Sequence, residues 1–285
     1  MQFSPPRPTK LAGFTLIELS IVLVIIGLIV GGILVGQDLI TAARIRAQIA
    51  QIDKYNSAVN TFRVKYNAPP GDMIPSTAST LGFFTRTGGS GDGDGDGYIG
   101  GIPQGGGPTT GYMDLGGEDI LFWTDLSAAG LIEGGFNDSS DSLITATTDT
   151  QYAAEMPRAK IGNGNYVFVS GTYQDANSNF AKGNGFQIIN IAFIGPPVSV
   201  GVVMLNPGLT ALESFNIDQK IDDGLPLSGQ VIAMLPDNHS GIAVGAEIRT
   251  GVGSLCVLLG PPVTYNIGTK GVSTVAKCSL RFGAT

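Results

Sequence analysis

Apolar residues are distributed unevenly along this chain, and their pattern predicts one very long N-terminal helix. A 22-residue apolar run extends from Phe14 to Val35 and contains a single charged residue, Glu18. As a helix it would be about 33 Å long, close to the bilayer hydrocarbon thickness of about 30 Å. A core helix of a soluble protein is the alternative, but so long an apolar run is unusual in soluble folds. We therefore predict a membrane-spanning segment.

The helical pattern continues beyond this run as a single apolar stripe. Residues on the stripe recur at steps of three and four, namely Ile45, Ile49, Ile52, Tyr55, Val59, Phe62 and Tyr66. Proline first interrupts the pattern at Pro69 and Pro70, so we expect the helix to end near Tyr66. The stripe is expected to pack on a globular head, with an isolated coiled coil as the alternative.

The rest of the chain predicts a head that is rich in strands. Glu118–Ala129 has the pattern of a short amphipathic helix, and Thr210 with Glu213 has the spacing of a capping box that begins a second helix. Runs rich in Val, Ile and Phe predict strands at 165–170, 186–194, 198–205, 230–235, 243–248, 254–259 and 276–282. Because these runs follow the long helix, we expect an α+β fold with a mainly antiparallel sheet.

The residues before the apolar run indicate how the N-terminus is processed. A short basic segment with Arg7 and Lys10 precedes the small residue Gly13. A secretory signal would place its cleavage site after the apolar stretch, so this stretch is expected to remain in the mature chain. Arg44 and Arg46 follow the span closely, and the positive-inside rule therefore favours a cytoplasmic N-terminus only weakly.

Glu18 is unusual because a carboxylate inside a bilayer helix requires a partner. One interpretation is that it lies near the interface and reaches water. The other is intermolecular. If the chain were cut after Gly13, Phe14 would carry a new α-amine, and Glu18 of one copy could pair with that amine on a neighbour.

Gly13 followed by Phe14-Thr-Leu-Ile-Glu18 and a long apolar run, behind a short basic leader, resembles the type IV prepilin and pseudopilin family. The resemblance implies that a prepilin peptidase cuts between Gly13 and Phe14 and methylates the new amine, and that Glu18 is the acidic assembly residue. It also implies a filament built from copies of such chains by an inner-membrane assembly machinery. The family's proline late in the span is absent, and glycines stand nearby at Gly31, Gly32 and Gly36.

On this interpretation the chain has four parts. Residues 1–13 are the leader, 14–36 the transmembrane and filament-core helix, 37–66 the amphipathic half of the same helix, and 67–285 a globular head. Three segments of the chain, 62–72, 125–134 and 217–229, also resemble a large prepilin-like subfamily. The head is expected in the periplasm before assembly, and afterwards in a periplasmic or cell-surface filament.

A glycine-rich stretch at 87–111 is predicted to be a loop, and it contains a candidate calcium site. Asp92, Asp94 and Asp96 alternate with glycine, as in the first half of an EF-hand-like loop, and hard oxygen ligands suit Ca²⁺. The twelfth position is Pro103 instead of the usual glutamate. Another acid would have to complete the shell, with Asp114, Glu118 and Asp119 as candidates. The alternative is a solvated Gly-Asp linker.

Cys256 and Cys278 are the two cysteines of the chain, and a periplasmic or exterior head would favour their oxidation to a disulfide. Such a bond would stabilise the fold by about 3 kcal/mol in the chain-entropy model. The pair also resembles the disulfide-bounded C-terminal loop of many type IV pilins. Two free buried thiols are the alternative.

Composition excludes several classes of function. A net charge of -7 argues against a dedicated nucleic-acid binder, and 43% hydrophobic against 14% charged residues argues against general disorder. The single histidine, His239, lies in a turn-like sequence, and no nucleotide-binding fingerprint is present. We therefore expect a structural subunit and no enzyme. The alternatives are a type II secretion pseudopilin, a membrane-anchored calcium-dependent adhesin and, with least support, a membrane-tethered hydrolase.

Overall fold

The computed structural model describes residues 13–89, 91–100, 116–136, 149–172, 183–194, 203–206, 208–234, 256–258, 260–268 and 278–283. The chain divides between Ala43 and Arg44 into two compact units. Its helices in the described ranges are α1 (Leu16–Tyr66), α2 (Pro75–Leu81), α3 (Glu118–Ala128), α4 (Asp149–Glu155) and α5 (Ala211–Ile221).

Helix α1 confirms the long helix predicted from the hydrophobic pattern. Its 51 residues are helical without interruption, including the positions of Gly31, Gly32 and Gly36. The helix ends at Tyr66 because Asn67 adopts a left-handed conformation with φ of 56°, and Pro69 and Pro70 then prevent further helical turns.

The head contains an antiparallel sheet, as predicted. Its strands are β1 (Asn165–Thr172), β2 (Gly183–Ile194), β3 (Val203–Asn206), β4 (Val231–Met234) and β7 (Ser279–Gly283), while β5 (Val257–Leu258) and β6 (Thr264–Tyr265) form a separate pair. The order is β1-β2-β7-β4, and β3 also pairs with β2. Every one of these pairs is antiparallel, which confirms the α+β class.

The second half of α1 forms one wall of the head core. Its apolar stripe is buried as expected, except that Ile49 and Tyr66 are only partly buried. The Tyr55 ring centroid lies 5.0 Å from that of Trp123 in α3 and 5.9 Å from that of Phe186 in β2. Such edge-to-face and tilted aromatic contacts add to the free energy gained by burying the rings. The stripe therefore packs against both a helix and the sheet of the head.

Two glutamines on the same face of α1 bind backbone and were not anticipated. Gln48 Oε1 accepts a hydrogen bond from the Ile161 amide at 3.0 Å, and Gln51 Oε1 accepts one from the Lys160 amide at 2.9 Å. Gln51 Nε2 also donates to the Arg158 carbonyl at 2.9 Å. Buried backbone amides and carbonyls need hydrogen-bond partners, and the two glutamines supply them for the segment that leads into β1.

The shorter elements agree with the sequence in part. Helix α5 begins with the predicted capping box, in which Thr210 and Glu213 cap each other's backbone. Helices α2 and α4 and strand β6 had no predicted counterpart, although α2 begins with Pro75 and ends at Gly82 in a left-handed conformation, a recognisable pattern. The strand predicted at 243–248 and most of that predicted at 198–205 lie outside the described residues.

Candidate functional site

The N-terminal part of α1 presents apolar side chains that the described structure leaves uncovered. Every large apolar residue from Phe14 to Ile40 is at least 50% exposed, and Leu16 is 86% exposed. The most apolar window of the helix has a mean hydropathy of 2.9, with none of it buried. By length and composition, α1 can therefore cross a membrane.

Glu18 caps the start of this helix within its own chain. Its Oε2 accepts hydrogen bonds from the Thr15 amide at 2.8 Å and the Thr15 hydroxyl at 2.7 Å, while Thr15 Oγ1 accepts one from the Glu18 amide at 3.3 Å. This is a capping box. The same signal, Thr followed three residues later by Glu, also marks the start of α5.

The glycine-aspartate loop, residues 91–100, folds around two carboxylates that lie outside it. Asp72 accepts hydrogen bonds from the amides of Gly95 at 2.7 Å and Gly97 at 2.8 Å. Glu118, at the start of α3, accepts them from Gly93 at 2.9 Å, Asp94 at 3.2 Å and Gly100 at 2.8 Å.

Alternate glycines make this arrangement possible. Gly93, Gly95 and Gly97 have φ of 73°, 78° and 89°, which residues with a side chain rarely adopt. A Cβ atom at Gly93 would also collide with the side chain of Arg86 and the carbonyl oxygen of Met73. The glycines therefore let successive amides converge on an anion, as in backbone anion-binding nests.

The structure groups the predicted metal ligands differently from the sequence. Carboxylate oxygens of Asp72, Asp94 and Asp96 lie within 4.8 Å of one another. Asp92 does not belong to this group; its Oδ2 accepts hydrogen bonds from the amide and hydroxyl of Thr87. Because Asp72 precedes the loop by some twenty positions, local spacing could not identify it.

The three acids proposed to complete the calcium shell differ in their position in the structure. Glu118 binds the amides of the same loop, as described above. Asp119 instead accepts a hydrogen bond from the Gly116 amide at 3.0 Å. Asp114 lies outside the described residues.

Burial of these acids disfavours their charged forms. It raises the pKa of Glu118 to about 8 and that of Asp72 to about 6, with further increases from neighbouring carboxylates and partial compensation by the backbone amides. Burial also raises the pKa of Asp119 well above its usual value. A bound cation would oppose this penalty. Ca²⁺ binding by Asp92, Asp94 and Asp96 stays a prediction, and Asp72 is a further candidate ligand.

A family model of the prokaryotic N-terminal methylation motif matches residues 9–34. The chain carries a type IV prepilin-type leader. The match includes the predicted cleavage junction Gly13–Phe14, together with Glu18 and most of the exposed apolar segment. Neither a curated protein nor a solved structure matches the chain significantly.

This leader supports membership of the type IV pilin or pseudopilin family. The α+β fold, with its long N-terminal helix and antiparallel sheet, fits the type IV pilin-like architecture. Such a leader is typical of structural pilin subunits. His239, the histidine considered above, lies outside the described residues.

The predicted disulfide of this prepilin-type chain is confirmed. Cys256 and Cys278 are bonded at an S–S distance of 2.02 Å, and both are fully buried. Cys278 exchanges backbone hydrogen bonds with Leu209, and the Cys256 carbonyl accepts one from the Asn266 amide at 2.8 Å. The disulfide therefore ties the β5–β6 pair to the segments that begin α5 and β7.

A second group of acids, with no signal in the sequence, lies at the end of α5 and in the turn after it. Asp218, Asp222 and Asp223 also bring carboxylate oxygens within 4.8 Å of one another. Asp218 accepts hydrogen bonds from the Tyr265 hydroxyl at 2.7 Å and the Gly224 amide at 3.2 Å. These bonds hold the turn after α5 against β6, which explains the group without a ligand.

Proposed function

We propose that this chain is a structural subunit of a type IV pilus-like filament. It is inserted in the inner membrane, cleaved after Gly13 by a prepilin peptidase, methylated at the Phe14 amine and polymerised through α1 by the inner-membrane assembly machinery. One observation carries the proposal: directly behind a prepilin-type leader, every large apolar side chain from Phe14 to Ile40 is exposed. Such a surface needs lipid or other apolar helices around it.

Packing between copies must supply the preference for the filament. Lipid tails are as apolar as leucine side chains, so moving α1 from lipid to sister helices gains little hydrophobic free energy. Gly27 and Gly31, like Gly32 and Gly36, are spaced four residues apart, and beyond the adjoining helix no described residue lies within 4 Å of a Cβ placed at any of them. Small residues at this spacing let helices approach closely.

Glu18 adds an electrostatic contribution to association between copies. In lipid its carboxylate has partners only at Thr15 of its own chain among the described residues. A methylated Phe14 amine from a neighbouring copy would neutralise the charge, which capping alone cannot do. This pairing would favour the assembled state because isolated charges are costly in an apolar environment.

Two substitutions separate the charge of Glu18 from its capping role. Glu18→Gln retains a carbonyl oxygen that can cap the Thr15 amide but removes the charge. Glu18→Ala removes both. If the charge drives assembly, both variants are processed and folded but absent from sheared or sedimented filaments. If Glu18→Gln formed normal filaments, the role of Glu18 would be helix capping and not charge pairing. If the wild-type chain formed no filaments, the proposed function would be wrong.

A type II secretion pseudopilin remains the nearest alternative, because the same leader serves both systems. Peptides of this chain in sheared cell-surface filaments would support a pilus subunit. Their confinement to a short periplasmic structure would support a pseudopilin. A membrane-anchored calcium-dependent adhesin would use α1 as an anchor alone, and its incorporation would not respond to either Glu18 variant.

A further inference from the structure

We propose that Arg44 and Arg46 form a docking patch that binds the acidic head of a second copy of this chain. The proposal rests on the filament function proposed above and adds a contact outside the apolar span. Its starting point is an uneven distribution of charge. Residues 37–66 contain five basic and two acidic residues, whereas residues 67–285 contain nine basic and twenty acidic ones.

The local structure leaves this arginine pair available. Arg44 and Arg46 are exposed and flank Ile45, which is 3% exposed and belongs to the head core. Within the described ranges neither arginine has an ion-pair partner, whereas Lys54 on the same helix pairs with Glu133 at 3.1 Å. The two guanidinium groups are therefore charged, accessible and anchored beside a packed residue.

Charge complementarity favours a second copy as the partner. Copies in a filament would bring strongly acidic heads together, and their mutual repulsion requires compensating positive charge. Acidic side chains are available at the head surface, where Asp96 and Asp223 are exposed and Asp94 and Asp222 are partly exposed. Arginine suits this role because its planar group binds carboxylates through two parallel hydrogen bonds.

An anionic lipid surface is the competing partner, and it is less favoured. The segment after the span is translocated in the proposed orientation, and basic residues are normally depleted on that side. Membrane insertion therefore does not explain why two arginines follow the span so closely. A contact formed after assembly does.

The test is the double charge reversal Arg44→Glu/Arg46→Glu in the full-length chain. The matched control is Lys54→Glu/Lys65→Glu, which makes the same charge change on the same helix. We expect the reversal to lower the ratio of filament to membrane-bound monomer about ten-fold or more and the control to change it little. Unaltered thermal melting and an intact Cys256–Cys278 bond would show that the head still folds.

Salt dependence gives an independent readout. Raising NaCl to about 1 M shortens the Debye length to about 3 Å and should weaken wild-type filaments. The neutral variant Arg44→Gln/Arg46→Gln should respond less to salt. If the arginine variants gave the same filament yield and salt response as the wild type, the proposed docking patch would be wrong, but the proposed function would stand. So would arginine variants that polymerise normally but lose binding to vesicles containing anionic lipid, because the partner would then be the membrane.

Discussion

At the scale of single residues, the head contains a buried ion pair that joins three segments. Arg86 Nη2 lies 2.8 Å from Asp125 Oδ1, and both side chains are fully buried. Gly71 donates its amide to Asp125 Oδ2 at 2.8 Å, and its carbonyl accepts a hydrogen bond from Arg86 Nη1 at 3.0 Å. The turn after α1, the segment before the glycine-aspartate loop and helix α3 are therefore held by one network. Breaking one member would leave a buried charge without a partner.

We predict that Asp125→Ala lowers the free energy of unfolding by about 3–5 kcal/mol, because Arg86 would remain buried and unpaired. The matched control is Glu133→Ala, which removes the partner of Lys54 from a pair whose side chains are 48% and 94% exposed. That control should cost about 0–1 kcal/mol. Chemical denaturation of the full chain in detergent micelles would measure both. If both variants lost the same free energy of unfolding, burial would not explain the contribution of the Arg86–Asp125 pair.

The raised pKa of Glu118 predicts how the free energy of unfolding depends on pH. Burial raises its pKa from 4.5 to about 8, so between these values the folded chain holds a proton that the unfolded chain has released. The free energy of unfolding should therefore fall as pH rises from about 4.5 to about 8. Glu118→Gln should flatten this part of the profile in denaturation measured with a chelator present. A Gln variant whose profile runs parallel to wild type would show that Glu118 is not responsible.

At the scale of elements, the sequence predicted what depends on local pattern. The apolar stripe and the prolines after Tyr66 located α1, and the Thr210–Glu213 spacing located α5, because both signals act within a few residues. The grouping of Asp72 with Asp94 and Asp96 could not be predicted, since it depends on how the chain returns to the end of α1. The binding of Gln48 to Ile161 likewise depends on a contact between segments far apart in sequence.

Calcium binding to the glycine-aspartate loop can distinguish two ligand sets. The structure groups Asp72 with Asp94 and Asp96, whereas the sequence predicted Asp92 in place of Asp72. If the loop binds Ca²⁺ through the observed carboxylate group, Asp72→Asn should abolish both the heat of calcium titration and the calcium-induced rise in melting temperature. Asp92→Asn should retain both, because Asp92 binds Thr87 outside that group and Asn can still accept from its amide. Loss of binding in Asp92→Asn alone would favour the sequence-based ligand set. No heat with the wild-type chain would eliminate the calcium site.

At the scale of the whole molecule, the proposed filament function requires that the apolar span of α1 stays attached to the head after processing. We predict that the mature chain begins with N-methylated Phe14, as the motif at residues 9–34 implies. Intact-mass spectrometry of membrane-purified protein should give the mass of residues 14–285 with one amine hydrogen replaced by a methyl group and two thiol hydrogens lost to the disulfide. Gly13→Val should retain the leader by crowding the cleaved bond, whereas Gly36→Val, at a position with open space around it, should be processed normally. A mature chain beginning near residue 37 would mean that the span is discarded as a signal, and α1 could not then hold a filament together.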